Sequence, residues 1–254
     1  MYFLSLLSIC ILVAHAAQDL YLGEKLITKL TDHNFQKTLT TPKPVLVKFY
    51  NPGCPHCTRM VSAWRQVASH FEGHMVVGAV NCATQGVCGK YGVNGVPDVR
   101  LFIKGPKGEP VPIKYEGNRT KDSIVGFAKP YLLSYVHKVS DSKKTGVKSL
   151  DAFLKTEAGL PHVIIFKQGK LVPSMGYMTL SVDFKEKYSF GIVNLAIDAD
   201  IPGKLGVTLP KDTDSLVFIA PGEKKGELYP GKNSFIEMKA YLQKQITKEE
   251  KSEL

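Results

Sequence analysis

The sequence predicts an α/β protein of two domains in tandem, each a central mixed sheet flanked by helices. Three observations lead there. The chain has 254 residues, enough for two domains of about 110 residues that each bury a core. The run Pro44-Val45-Leu46-Val47-Lys48-Phe49-Tyr50 is almost continuously apolar, as a central buried strand should be. Strand-like and helix-like runs alternate along the chain, and their order in the first half returns in the second.

In the first half, Leu26–Lys29 reads as a short strand, and Thr31-Asp32-His33-Asn34 offers capping residues for a brief helix. Val45–Tyr50 is the central strand, and Thr58–Phe71 reads as a helix after the cysteine motif that follows it. Met75–Val80 is a third strand, and Thr84–Tyr91 a helix ended by Gly92. Val99–Ile103 and Val111–Tyr115 form a hairpin across the turn Gly105-Pro106-Lys107-Gly108-Glu109-Pro110. Lys121–Leu133 closes the unit as an amphipathic helix. This β-α-β-α-β-α-β-β-α order is that of a thioredoxin-like fold.

A second pass begins near Val136. Leu150–Lys155 reads as helix, His162–Lys167 as strand, Ser181–Tyr188 as helix and Ile192–Ile197 as strand. A short helical turn at Ile201–Leu205, a hairpin of Leu216–Ile219 with Glu227–Tyr229, and a helix over Ser234–Ile246 complete it. The expected divisions are a leader at 1–17, domains at 18–134 and 135–247, and a polar tail at 248–254. The second domain carries no cysteine, so disulfide chemistry belongs to the first.

Apolar residues make up 44% and charged residues 22%, as in ordinary globular protein. The net charge of +10 comes from dispersed lysines without Arg-rich, aromatic-interleaved runs, so it reads as solvated surface and not as a nucleic-acid interface. Residues 1–17 are apolar and end in an A-x-A pattern, the form of a secretory leader, although the n-region lacks Lys or Arg. No later stretch qualifies as a membrane span. Cys10 leaves with the leader, so four cysteines remain for an oxidising compartment. The terminal Lys251-Ser252-Glu253-Leu254 resembles the retrieval tetrapeptide of the endoplasmic reticulum, with Ser in place of Asp. The expected location is therefore the lumen of that compartment, with a retrieval receptor as a partner.

The chemistry lies in Cys54-Pro55-His56-Cys57. A strand that turns into a helix at its first cysteine sets that sulfur among unpaired backbone N–H groups, which favour thiolate over thiol. The thiolate is the nucleophile of disulfide exchange, and Cys57, one turn on, can close a ring with it. His56 adds a donor, or a partial positive charge, beside the same sulfur. A lone CxxC is also half of a zinc site. The other half would be Cys82 and Cys88, whose five intervening residues miss the usual ligand spacing, so no metal is expected and no other cofactor is implied.

From Leu26 to Tyr131 the chain resembles the catalytic domain of the protein disulfide isomerase family. The resemblance rests on Val45 to Cys57, on Lys90-Tyr91-Gly92-Val93-Asn94-Gly95-Val96-Pro97, and on Tyr115-Glu116-Gly117-Asn118-Arg119. Val136 to Gln245 is similar, more weakly, to the redox-inactive b-type domain of that family. The resemblance implies that Cys54 attacks the substrate and that Cys57 is the buried resolving thiol. It implies a cis-proline at Pro97 facing the site, substrate pairing at the Val96 backbone, and a mobile arginine at Arg119; the alternative for Arg119 is an ordinary surface arginine. Cys82 and Cys88 match a second pair found in some members, which implies a structural disulfide over two free thiols. Asn118-Arg119-Thr120 is a glycosylation sequon.

Three positions depart from the family pattern. Gly53 stands where the family has Trp before the first cysteine. Pro55-His56 replaces Gly-His, and is the pairing of the bacterial periplasmic disulfide oxidase. Lys48 stands where the family has a buried acid that shuttles the proton of the second cysteine, and Ala79 replaces that acid's lysine partner. A buried ammonium there favours the Cys57 thiolate and a more oxidising disulfide; a Lys48 that snorkels to solvent does little.

The activity implied is thiol–disulfide exchange on unfolded or disulfide-containing secretory proteins, recharged by glutathione or an oxidase. The alternative is a client-holding chaperone or adaptor, for which Met175-Gly176-Tyr177-Met178 is the candidate apolar surface, a core strand or helix being the commoner fate of that pattern.

Overall fold

The computed structural model describes residues 19–142, 147–211 and 213–252, and forms two compact units, the first ending at Ala128 and the second running on from Lys129. The expected leader 1–17 lies outside the described residues, as do Glu253 and Leu254 of the terminal tetrapeptide.

The first unit comprises β1 (Thr28–Leu30), α1 (Phe35–Leu39), β2 (Val45–Tyr50), α2 (Pro55–Arg59), α3 (Val61–His70), β3 (Val76–Asn81), α4 (Val87–Lys90), β4 (Asp98–Lys104), β5 (Pro110–Tyr115) and α5 (Lys121–Ala128). Its sheet runs β1-β3-β2-β4-β5. β1, β3 and β2 are parallel, and the β4–β5 hairpin adds two antiparallel strands. All six residues of β2 are buried, because helices cover both faces of a central strand. Strand alternation sends Val45, Val47 and Phe49 into one core with Leu30, Phe35, Leu39, Val80 and Phe102. Leu46, Lys48 and Tyr50 therefore share the opposite face.

The second unit comprises β6 (Val136–Val139), α6 (Leu150–Leu154), β7 (His162–Lys167), α7 (Met175–Asp183), β8 (Ser189–Asn194), α8 (Ile201–Lys204), β9 (Ser215–Ile219), β10 (Gly226–Leu228) and α9 (Phe235–Ser252). Its sheet order β10-β9-β7-β8-β6 is the first sheet's order strand for strand, with β6 and β8 parallel to β7 and β9 and β10 antiparallel. The two units are thus two thioredoxin-like folds, as the recurring element order predicts.

Several boundaries differ from the expectation, each for a local reason. The helix after β2 begins at Pro55, since proline suits the first helical position, and Met60 divides it into α2 and α3. The helix expected over Thr84–Tyr91 is a single turn, Val87–Lys90. Asp32 accepts hydrogen bonds from Gly86 N at 2.9 Å and Val87 N at 2.6 Å, and Asn81 Oδ1 accepts from Ala83 N at 3.0 Å, so side chains hold the turn before it. The helix expected to reach Leu133 stops at Ala128 and passes into a 3-10 turn over Lys129–Tyr131, because Pro130 cannot continue it.

In the second unit, the helix expected at Ser181–Tyr188 lies at Met175–Asp183, started by Ser174, whose hydroxyl accepts from Tyr177 N at 3.3 Å. The strand expected at Ile192–Ile197 lies at Ser189–Asn194, where Asn194 Oδ1 accepts from Gly169 N at 3.1 Å and Ala196 N at 3.0 Å and turns the chain away. Met175–Met178 is not an exposed surface. Tyr177 is 0% exposed in the second core, and its hydroxyl proton is shared between Val163 O at 2.8 Å and Gly191 O at 2.9 Å.

The second cysteine pair, Cys82–Cys88, is a disulfide joining the end of β3 to α4. Replacing both cysteines by alanine is expected to lower unfolding stability by about 2 kcal/mol, because the bond closes a short loop in the unfolded chain. Urea unfolding of the reduced and oxidised parent against the variant checks it; equal midpoints would show that the bond contributes nothing.

Candidate active site

β2 delivers the chain to the turn 51–53, where Asn51 Oδ1 accepts from Gly53 N at 2.9 Å and Asn51 O accepts from Cys54 N at 3.0 Å. Cys54 is the N-cap of α2, with an extended backbone, and its own carbonyl accepts from Cys57 N at 3.0 Å and Thr58 N at 3.1 Å. The N-cap geometry leaves the Cys54 side chain at the helix start, half-buried, while Cys57 points inward and is fully buried. Both are free thiols.

The two sulfurs are shifted in opposite directions. Cys54 is held below the ordinary thiol value, first by the backbone N–H of Cys57, then by the Cys57 thiol and the backbone N–H of His56, with a smaller contribution from the Arg119 charge. Burial pushes Cys57 up, and the charge of Lys48 partly offsets it. The arrangement has one accessible, thiolate-leaning sulfur and one buried reserve thiol that donates to it.

The Val96–Pro97 peptide bond is cis, and the Cys54 Sγ lies 3.6 Å from Val96 O. Arg100 holds this loop. It pairs with the buried Asp98 carboxylate at 2.8 Å and donates to Tyr91 O at 2.6 Å and Gly92 O at 3.3 Å, with its guanidinium over the Phe49 ring. From Val96 and Pro97 an open cleft of about 560 Å³ runs past Tyr115 and Glu116 to Arg119. Arg119 and Asn118 are exposed in the connection after β5, and Asn118 O accepts from the Tyr115 hydroxyl at 2.6 Å. His56 contributes through its backbone, since its ring is exposed and its Nδ1 accepts from Arg59 at 2.8 Å.

Lys48 is 0% exposed and does not snorkel. Its register partners are Ala79 on β3 and Val99 on β4, so no carboxylate stands directly opposite in the sheet. Its Nζ donates to the Tyr21 hydroxyl at 2.5 Å and to Cys57 O at 3.0 Å, and sits over the Tyr21 ring. Burial lowers its pKa to about 8, against the opposing pull of Cys57 and Cys54; Arg119 lowers it further.

The structure thus gathers Cys54, Cys57, Val96, Pro97 and Lys48, with Pro55 at the first position of α2 and Arg119 along the cleft. Tyr21, Asp19, Tyr50 and Arg100 join the same site without a motif to announce them. Lys251 and Ser252 close α9 in the other unit.

The thioredoxin family model matches residues 26–130. The first unit thus carries the thioredoxin match, and the second repeats its sheet order, so both units have a thioredoxin-like fold. Among its relatives is protein disulfide-isomerase MPD1 of Saccharomyces cerevisiae, 31% identical over 203 residues, covering 73% of this chain and 61% of that protein. DnaJ homolog subfamily C member 10 of Homo sapiens is 29% identical over 199 residues, covering 77% of this chain and 24% of that one. The chain therefore spans less than two thirds of these relatives. In fold it is similar to the crystal structure of ERdj5 form II, with a TM-score of 0.67 at 22% identity over 88% of this chain and 30% of that chain.

Proposed function

We propose that the chain is a thiol–disulfide oxidoreductase that forms or rearranges disulfides in secretory proteins, acting through Cys54 and Cys57. The observation that carries this reading is the opposed pair of thiols at the end of β2, one exposed enough to attack and one buried to resolve. A client thiolate attacks Cys54 of the disulfide form, Cys57 leaves, and a second client thiolate displaces Cys54 to release a client disulfide. The Val96 backbone, beside the attacking sulfur, is placed to pair with an extended client segment.

Lys48 biases this couple towards oxidation. In the disulfide form the buried ammonium faces no thiolate, whereas reduction supplies one at Cys54, whose charge acts on Lys48, so reduction gains an attraction and the disulfide becomes the stronger oxidant. Such a protein belongs in the lumen of the endoplasmic reticulum, where the expected leader and the Lys251–Leu254 signal lead and where disulfides such as Cys82–Cys88 persist. Its partners there are unfolded or disulfide-containing secretory proteins, glutathione or an oxidase for recharging, and a retrieval receptor. The testing experiment is oxidative refolding of a reduced multi-disulfide client with the parent and with a Cys54→Ser, Cys57→Ser double variant. Parent-level refolding by the double variant would sink the reading and leave a client-holding role.

A further inference from the structure

The cleft beside Cys54 holds one cation that the fold leaves unpaired. Arg100 and Lys114 stand directly opposite each other on β4 and β5, an unfavourable pairing of like charges that an acid two residues along from each relieves. Arg100 is paired with the buried Asp98 at 2.8 Å, and Lys114 with Glu116 at 3.2 Å in solvent. Lys121, beyond the cleft, pairs with Asp122 at 3.0 Å. Arg119 is exposed at the cleft's end, and its guanidinium has no hydrogen-bond or ion-pair partner among the described residues.

That unpaired charge is within electrostatic reach of the reacting atoms, since it acts on both Cys54 and Lys48. The Cys54 Sγ is 3.6 Å from Val96 O, and Val96 lines the same cleft as Arg119. A client cysteine bonded to Cys54, its chain extended along the Val96 backbone, therefore carries its neighbours over this cleft. An extended chain advances only about 3.3 Å per residue, so those neighbours are the one or two residues beside the cysteine. The charges they meet are Arg100, Lys114 and Arg119 against Asp98 and Glu116, which leaves one positive charge over.

We propose that Arg119 selects clients, favouring cysteines with a glutamate or aspartate within two residues, and that Glu116 limits this preference by occupying Lys114. This rests on the thiol–disulfide reading above. In the mixed disulfide the client carboxylate accepts from the Arg119 guanidinium, whose planar fork of donors suits it. A basic neighbour meets the same charge and is disfavoured. The contact lies at the surface, so it sets a preference of severalfold and not a requirement. The net charge of +10 draws acidic peptides to the chain as a whole, whereas Arg119 acts at one place along them.

The test is the pre-steady-state rate at which the oxidised full chain oxidises three dithiol peptides, identical except that the residues flanking both cysteines are Glu, Gln or Lys. The Glu-to-Lys rate ratio is compared between parent and variants, so each peptide's own thiol reactivity cancels. Arg119→Gln is expected to lower that ratio about fivefold, with the Gln peptide between the other two. Glu116→Gln frees Lys114 and is expected to raise it about threefold. Both side chains are exposed, so both variants keep the fold. A parent that oxidises the peptides, with a ratio that Arg119→Gln leaves unchanged, overturns the proposal alone. A ratio that Glu116→Gln leaves unchanged or lowers removes Glu116 from it. A parent that leaves every peptide reduced overturns the thiol–disulfide reading as well.

Discussion

A Cys54→Ser protein is expected to lose client oxidation by about a thousandfold, while Cys57→Ser accumulates a covalent complex with the client. The asymmetry follows from burial. Cys54 is the half-exposed N-cap sulfur that a client can reach, so its loss removes the attacking and attacked atom together. Cys57 is 0% exposed, so it exchanges only with Cys54, closing the Cys54–Cys57 disulfide or resolving the bond between Cys54 and a client. Without it the mixed disulfide has no internal thiol to resolve it. Denaturing gels without reductant, followed by mass spectrometry of the trapped band, read both results. A trapped complex through Cys57 in Cys54→Ser would reverse the assignment.

Lys48→Glu is expected to make the couple less oxidising by about 30 mV, or about 1.4 kcal/mol for two electrons. The parent ammonium is 0% exposed, bonded only to neutral oxygens, and gains the charge of the Cys54 thiolate on reduction. A carboxylate in its place repels that thiolate and shifts the balance towards the disulfide. The sign is the diagnostic part. Glutathione titration with alkylation of the free thiols measures it, and a potential that is unchanged or more oxidising would remove Lys48 from the electrostatics of the couple.

Much of this site was legible in the sequence because its parts are local. The apolar run Val45–Tyr50 announces a strand buried on both faces, and the cysteines that follow it mark the turn into a helix. The resemblance also directed attention to Val96, Pro97 and the unusual Lys48. Strand alternation puts Lys48 on the face of Leu46 and Tyr50, but nothing local says whether its head reaches water. That depended on Tyr21, which arrives from a segment without periodicity and is fastened by Asp19 to Tyr50, thirty-one residues away. Arg100 was equally silent, since its role comes from carbonyls at Tyr91 and Gly92 that only the folded loop brings together.

In the second unit the element order was legible but positions slipped. α7 is buried at Tyr177, Thr179, Leu180, Ser181 and Val182, on more than one face, so it carries no helical stripe to mark its place. β8 ends where the Asn194 side chain captures two backbone N–H groups, a choice invisible to hydrophobic patterning.

The most direct measurement is an equilibrium redox titration of the full chain against glutathione, with mass spectrometry assigning each thiol. One two-electron transition confined to Cys54 and Cys57 is expected, with Cys82–Cys88 intact throughout and a midpoint above about −180 mV, on the oxidising side of the endoplasmic-reticulum poise. Cys54 and Cys57 that never form a disulfide across the titration would contradict the assignment of this site to thiol–disulfide exchange.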